Sequence, residues 1–173
     1  MVSFIVKYCG YLHFWMRPMT AIMPTVFYRD PMVALRWLEA AFGFETTLLV
    51  TDEVGKVGHA EMAWRDGGIG VGGEFASPAL LRPARMVSPL ALGDRASQFI
   101  HVELEGDIDA HFARARAAGA RITQEPADQF YGARTYRALD PEGHVWNFRQ
   151  PIADVSSAAM EKASGLTIRT SLD

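Results

Sequence analysis

Apolar positions along this chain follow two alternating periods, and the switches between them divide it into elements. A β-rich stretch from Ile22 to Tyr28 stops at Arg29-Asp30-Pro31, where Asp30 offers an N-cap oxygen and Pro31 a preset first helical residue. Val33, Trp37, Ala40 and Ala41 then recur at helical spacing, which predicts a helix over Met32 to Phe42 closed by Gly43. Strand patterns follow at Glu45 to Val50, Val57 to Trp64 and Ile69 to Phe75, separated by turns at 51–55 and 65–68. The order is strand, helix, three strands.

Residues 76–97 carry Pro78, Pro83, Pro89 and Gly93 without a sustained period and read as a connector. The same order then returns. A strand from Gln98 to Glu105 leads to a helix capped at Gly106-Asp107, with Ile108, Phe112 and Ala115 on one face and Gly119 at its end. Strands at Arg121 to Gln124, Ala133 to Leu139 and His144 to Arg149 complete the set. Gly43 and Gly119 recur at nearly the same offset as Asp66 and Asp140, so two similar modules are expected. Module one covers 21–75 and module two 98–150, together one domain over 21–150. Residues 1–20 form an N-terminal extension, and 151–173 a tail whose helix starts at an Asp154 cap, runs through Ala163 and ends at Gly165. The expected class is α+β: two βαβββ modules forming a curved mixed sheet with helices outside and a concave cavity suited to a small ligand.

Composition narrows the partners. A hydrophobic content of 49% with 21% charged residues is that of a globular protein, and a formal net charge of −3 provides no basic field for nucleic acid or an anionic membrane. The lone cysteine, Cys9, can form neither an intramolecular disulfide nor a thiolate zinc cluster, which fits a cytoplasmic protein. The first twenty residues are apolar and aromatic, yet Lys7, His13 and Arg17 interrupt a run already too short to span a bilayer. There is no Gly-x-Ser-x-Gly elbow, no Cys-His pairing and no phosphate loop. The glycines Gly67, Gly68, Gly70, Gly72 and Gly73 instead mark a turn and a strand that something approaches closely.

The most informative stretch runs from Tyr131-Gly-Ala-Arg134 to Asp140-Pro-Glu-Gly-His144-Val-Trp146-Asn-Phe148. Pro141 presets the first corner of a turn, Asp140 can bond its own backbone ahead, and Gly143 supplies the positive φ that closes a hairpin. This ending resembles the last two strands of the vicinal oxygen chelate superfamily, which includes glyoxalase I, extradiol dioxygenases and bleomycin-resistance proteins. The resemblance covers about Ala21 to Gln150 and implies the paired-module fold. It also implies a homodimer with the cavity at or near its two-fold axis. Uncovered sheet edges point the same way.

In metal-dependent relatives, ligands come from the first and last strand of each module. Aligned here, those positions fall on Met23, Gly72 or its neighbours, Ile100 and Asn147, which are poor ligands beside His and carboxylate. His101 is expected one residue off, facing away. The resemblance therefore implies a bleomycin-resistance-like binding protein with no cofactor, whose ligand is a small amphipathic or aromatic molecule. The expected ligand-binding residues are Thr25, Phe27, Tyr131, Arg134, Tyr136, Asn147 and Arg149. Simpler roles stand beside these: turn chemistry for Tyr131-Gly132, a carboxylate partner for Arg134, a nearby backbone partner for His144, and a solvated helix surface for His111. Two other readings remain open. One is a divalent-metal lyase, isomerase or dioxygenase using His59, Glu61, His101 and Glu103; the other is a metal-free enzyme with Tyr or Arg as electrophile.

Overall fold

A computed structural model describes residues 22–74, 86–93 and 95–172. The expected N-terminal extension, with Cys9 and His13, lies outside them, as do Phe75 and residues 76–85 and 94 of the connector. The chain contains two βαβββ modules of α+β class. Module one comprises β1 (Thr25–Tyr28), α1 (Pro31–Phe42), β2 (Glu45–Thr51), β3 (Val57–Trp64) and β4 (Gly67–Gly73). Module two comprises β5 (Phe99–Glu103), α2 (Ile108–Ala117), β6 (Arg121–Gln129), β7 (Ala133–Leu139) and β8 (Val145–Pro151), and a short α3 (Ser157–Ser164) follows.

Each module forms its own four-stranded mixed sheet, ordered β1-β4-β3-β2 and β5-β8-β7-β6, with the first pair parallel and the others antiparallel. Alternation then decides what each face carries. On sheet one, Val26, Tyr28, Ala60, Met62, Ile69 and Val71 turn toward α1 and are buried. On sheet two, Val102, Tyr136, Ala138, Trp146 and Phe148 turn toward α2. The two helix-covered sides share one core. Phe42, at the end of α1, packs 5.3 Å from Trp146 and 4.7 Å from Phe148, centroid to centroid. Trp37 donates from its indole to the Ala118 carbonyl, while Arg114 donates to the Ala41 and Phe42 carbonyls at the end of α1.

Several details depart from the expectation. The buried stripe of α1 is Ala34, Leu35, Leu38, Ala41 and Phe42, whereas Val33 is exposed. Trp37 misled the count because it packs sideways, toward α2. In α2 the buried positions are Ile108, His111 and Ala115, and Phe112 is only partly covered. Strand β6 continues through Pro126 to Gln129, which an edge strand tolerates because a proline there costs no interior ladder bond. Residues 89–92 of the connector form a 3-10 turn capped by Ser88. The cap of α3 is Ser156 rather than Asp154, and no α3 residue is buried.

A second joint between the modules lies at the β7–β8 turn. Asp140, buried, accepts from the Tyr28 hydroxyl at 2.6 Å and the Trp146 indole at 3.2 Å, and from the backbone amides of Glu142 and His144 at 3.0 Å each. Glu142 accepts from the amides of Arg29 and Asp30 at the start of α1. His144 donates through Nε2 to the Phe27 carbonyl at 2.9 Å. The backbone partner of His144 is thus near in space but in the other module. Burial, and then the adjacent Asp140 carboxylate, raises the Tyr28 phenol well above its ordinary pKa, so its proton stays available to the carboxylate.

Candidate functional site

The faces turned away from the helices carry the chemistry. On sheet one this open face presents Thr25 and Phe27 from β1, with His59 and Glu61 on β3 bonded to each other at 3.3 Å. Gly70 and Gly72 lie opposite Thr25 and Phe27 across the parallel ladder. A Cβ on Gly70 would come within 2.5 Å of the Thr25 hydroxyl, and one on Gly72 within 2.9 Å of the Phe27 ring. The β1 side chains lie over β4, and only glycine leaves them room.

The open face of sheet two is a hydrogen-bonded array. Asn147 on β8 sits between His101 on β5 and Arg137 on β7, because the ladder places all three in one row. Arg137 donates from Nε to the Asn147 oxygen at 3.3 Å, and the Asn147 amide nitrogen donates to His101 Nδ1 at 3.2 Å. These two bonds fix which way the amide points and leave His101 Nε2 as the ring's donor nitrogen. Phe99, 45% exposed, stands beside the His101 ring at 4.6 Å and under the Arg137 guanidinium at 5.8 Å. Arg149 lies 3.7 Å from Glu103, and Thr135 accepts from the Gln124 side chain. A cavity of about 270 Å³ runs along the outer edge of β5, lined by Pro24, Phe44, Trp64, Ile69, Ile100 and His101 among others. It joins this array to module one.

The expected ligand-binding residues therefore divide. Thr25, Phe27, Asn147 and Arg149 are on open faces. Tyr136 is not: it is fully buried on the helix side, stacked on Phe148 at 4.8 Å and donating to His111 Nδ1 at 2.6 Å. Desolvation raises its pKa far above the ordinary tyrosine value, so it keeps its proton. Arg134 also points to the helix side, bonded to Asp109 at 2.9 Å and Asp128 at 2.8 Å, and those two bonds raise its pKa further. Tyr131 is half-exposed in the β6–β7 turn against Phe130. The neighbouring Gly132 has φ +80°, and the Ala153 carbonyl occupies the place of a Cβ.

Two histidines were misjudged. His101 faces the same side as Asn147, while Ile100 packs on the core. The alignment that puts Ile100 at the ligand position is thus off by one residue, which in a strand reverses the face. His111 is 9% exposed, with Nε2 donating to the Phe42 carbonyl at 3.0 Å. Burial lowers its pKa to about 4 despite the support of that carbonyl. Arg137 was missed altogether. Its signal was available, since a hairpin closing on Asp140-Pro-Glu-Gly sets Arg137 directly opposite Asn147.

These residues fit a divalent metal poorly. The amide oxygen of Asn147 already accepts from a guanidinium, and His101 Nδ1 already accepts from the amide. A cation placed there would face the Arg137 charge. His59 and Glu61 pair with each other on the other sheet. Among the described residues, no three His, Cys, Asp or Glu side chains come together as a metal site.

Comparison with known proteins gives the following. A profile of the Glyoxalase/Bleomycin resistance protein/Dioxygenase superfamily matches residues 20–148. The crystal structure of TioX from Micromonospora sp. ML1 is 29% identical, with a TM-score of 0.59 over 77% of this chain and 99% of that one. A glyoxalase/bleomycin resistance protein/dioxygenase from Nocardioides is 21% identical, with a TM-score of 0.53 over 82% and 88%. The fosfomycin resistance protein FosX of Listeria monocytogenes is 12% identical, with a TM-score of 0.54 over 82% and 97%. The last two are likenesses of fold. An uncharacterized protein of Mycobacterium bovis is 34% identical over 79 residues, 46% of this chain and 51% of that protein. The match with that relative spans about half of its length.

Proposed function

The chain belongs to the Glyoxalase/Bleomycin resistance protein/Dioxygenase superfamily, and we propose that within it this is a cytoplasmic, metal-independent binding protein. It holds a small amphipathic or aromatic molecule on the open faces of its sheets. One observation carries this reading: Asn147, 5% exposed, is locked between Arg137 and His101 at the centre of an aromatic-bordered face that no helix of the described residues covers. A fixed amide flanked by two donors and an exposed ring is the equipment of a recognition surface. Thr25 and Phe27, on the open face of sheet one, extend the same reading to module one.

The working unit is a homodimer. The open faces carry apolar side chains such as Phe99, Leu48 and Val50 that are not fully covered, and a symmetric partner would enclose the ligand between two such faces. No helix among the described residues is long and apolar enough to cross a membrane.

Metal independence has a direct test. A divalent ion bound at free concentrations a thousandfold above its Kd would stabilise the native state by about 4 kcal/mol. Adding EDTA, or Zn²⁺, Ni²⁺, Mn²⁺ or Fe²⁺, should leave the melting temperature unchanged. A chelator-induced fall of several degrees, reversed by one metal and removed by His101→Ala, would overturn the proposal in favour of a metal-dependent lyase, isomerase or dioxygenase.

A further inference from the structure

We infer that the ligand is an anion, a planar aromatic carrying a carboxylate, with Arg137 as its anchor and Phe99 as the platform on which its ring lies. The inference rests on the binding reading above and specifies its chemistry.

The charges on the open face of sheet two do not cancel. The cations that alternation and the ladder place there are Arg121, Arg137 and Arg149, and the carboxylate is Glu103, which lies 3.7 Å from Arg149. On the helix side of the same module, Arg134 is held by Asp109 and Asp128, and Arg116 by Glu125. Arg137 differs from these. Among the described residues its recorded partners are uncharged: the Asn147 oxygen through Nε, and the Phe99 ring. Glu125 is already paired with Arg116, and Asp128 with Arg134.

Bonding through Nε fixes the plane of the guanidinium and leaves its two terminal nitrogens for an external acceptor. A fixed planar fork matches the two oxygens of a carboxylate better than any single-point acceptor. Phe99 is more than two-fifths exposed and lies under this guanidinium, so a flat ring attached to the carboxylate reaches an aromatic face. His101 Nε2–H, on the other flank, is a second donor. The chain's overall charge of −3 disfavours anions at long range, so selectivity has to come from this local surplus.

The test compares 2-naphthoate with its neutral amide, 2-naphthamide, by titration calorimetry and by the Asn147 side-chain amide resonances. The full-length protein should bind the carboxylate about tenfold more tightly than the amide, as a charge-assisted pair implies. Arg137→Gln should bring that ratio close to one, by weakening binding of the carboxylate more than that of the amide. Arg137→Lys should retain part of the preference, and Arg116→Gln, on the helix side, all of it. Equal binding of the two probes, or a preference that survives in Arg137→Gln, overturns the anionic class and leaves the binding reading standing. If neither probe moves the Asn147 resonances, both fall.

Discussion

The two modules share one order of elements and meet at one core, yet their open faces are built on opposite plans. Module one clears space: Gly70 and Gly72 are so close to Thr25 and Phe27 that a Cβ at either would clash. Module two fills its face with long polar side chains tied into a row, Arg137 to Asn147 to His101. The turns differ in the same sense. Asp66 in the β3–β4 turn is exposed, whereas its counterpart Asp140 is buried and takes four hydrogen bonds. A duplicated topology thus divides the labour, with one sheet giving room and the other giving contacts. The second turn also holds the modules together.

The sharpest way to break this contrast is at the turns. Asp140→Ala strands the Tyr28 hydroxyl and the Trp146 indole without an acceptor and removes two turn bonds. It should cost about 4 kcal/mol in urea unfolding. A loss below 1 kcal/mol would show that Asp140 is no clamp.

Acid should find module two next. His111 has a pKa of about 4 in the folded chain against an ordinary value of 6.5, so the unfolded chain binds more protons between those values. The stability it contributes is complete above pH 6.5 and is lost as pH falls toward 4. Its neighbours across the core are the protonated Tyr136 and the cationic Arg114, neither of which compensates a charged imidazole. Between pH 7.5 and 5.0 the loss should be about 2 kcal/mol, and His111→Gln should flatten that difference. The matching face of α1 carries Ala34, Leu35 and Leu38, which do not titrate. An unchanged pH dependence in the variant would remove His111 from this account.

A smaller effect probes the room in module one. Gly70→Ala should couple unfavourably to Thr25 by about 1 kcal/mol in a double-mutant cycle with Thr25→Ala. Strict additivity would mean that the two residues do not touch. Smallest of all, Asp66→Ala should change stability by less than about 0.5 kcal/mol, the value for an exposed turn residue without buried partners.

The sequence made the elements legible where local chemistry punctuates them. Asp30-Pro31, Gly43, Asp107 and the Asp140-Pro-Glu-Gly turn all mark boundaries found in the fold. It was less informative about faces. Val33 and Trp37 fit a helical period, but packing of α1 against α2 gave the buried stripe to their neighbours. His111 on a polar helix reads as solvated, and only tertiary contact with Phe42 and Tyr136 encloses it. Strand faces turn on a single residue of register. Taking the register from the hairpin would have exchanged Tyr136 for Arg137, and taking it from β8 would have put His101 beside Asn147.

The clamp at Asp140 also sets a schedule for the chain's making. Tyr28 and its acceptor are 112 residues apart, so on the ribosome the first module emerges long before the carboxylate that completes it. Until then the Arg29 and Asp30 amides lack Glu142, and the Phe27 carbonyl lacks its imidazole partner. Closing so long a loop is slow, and the waiting half exposes both its β1 edge and the Trp37 and Phe42 side chains that module two covers. The nascent first half is therefore the species on which a chaperone would act, and release of the last strand is the event that ends its need for one.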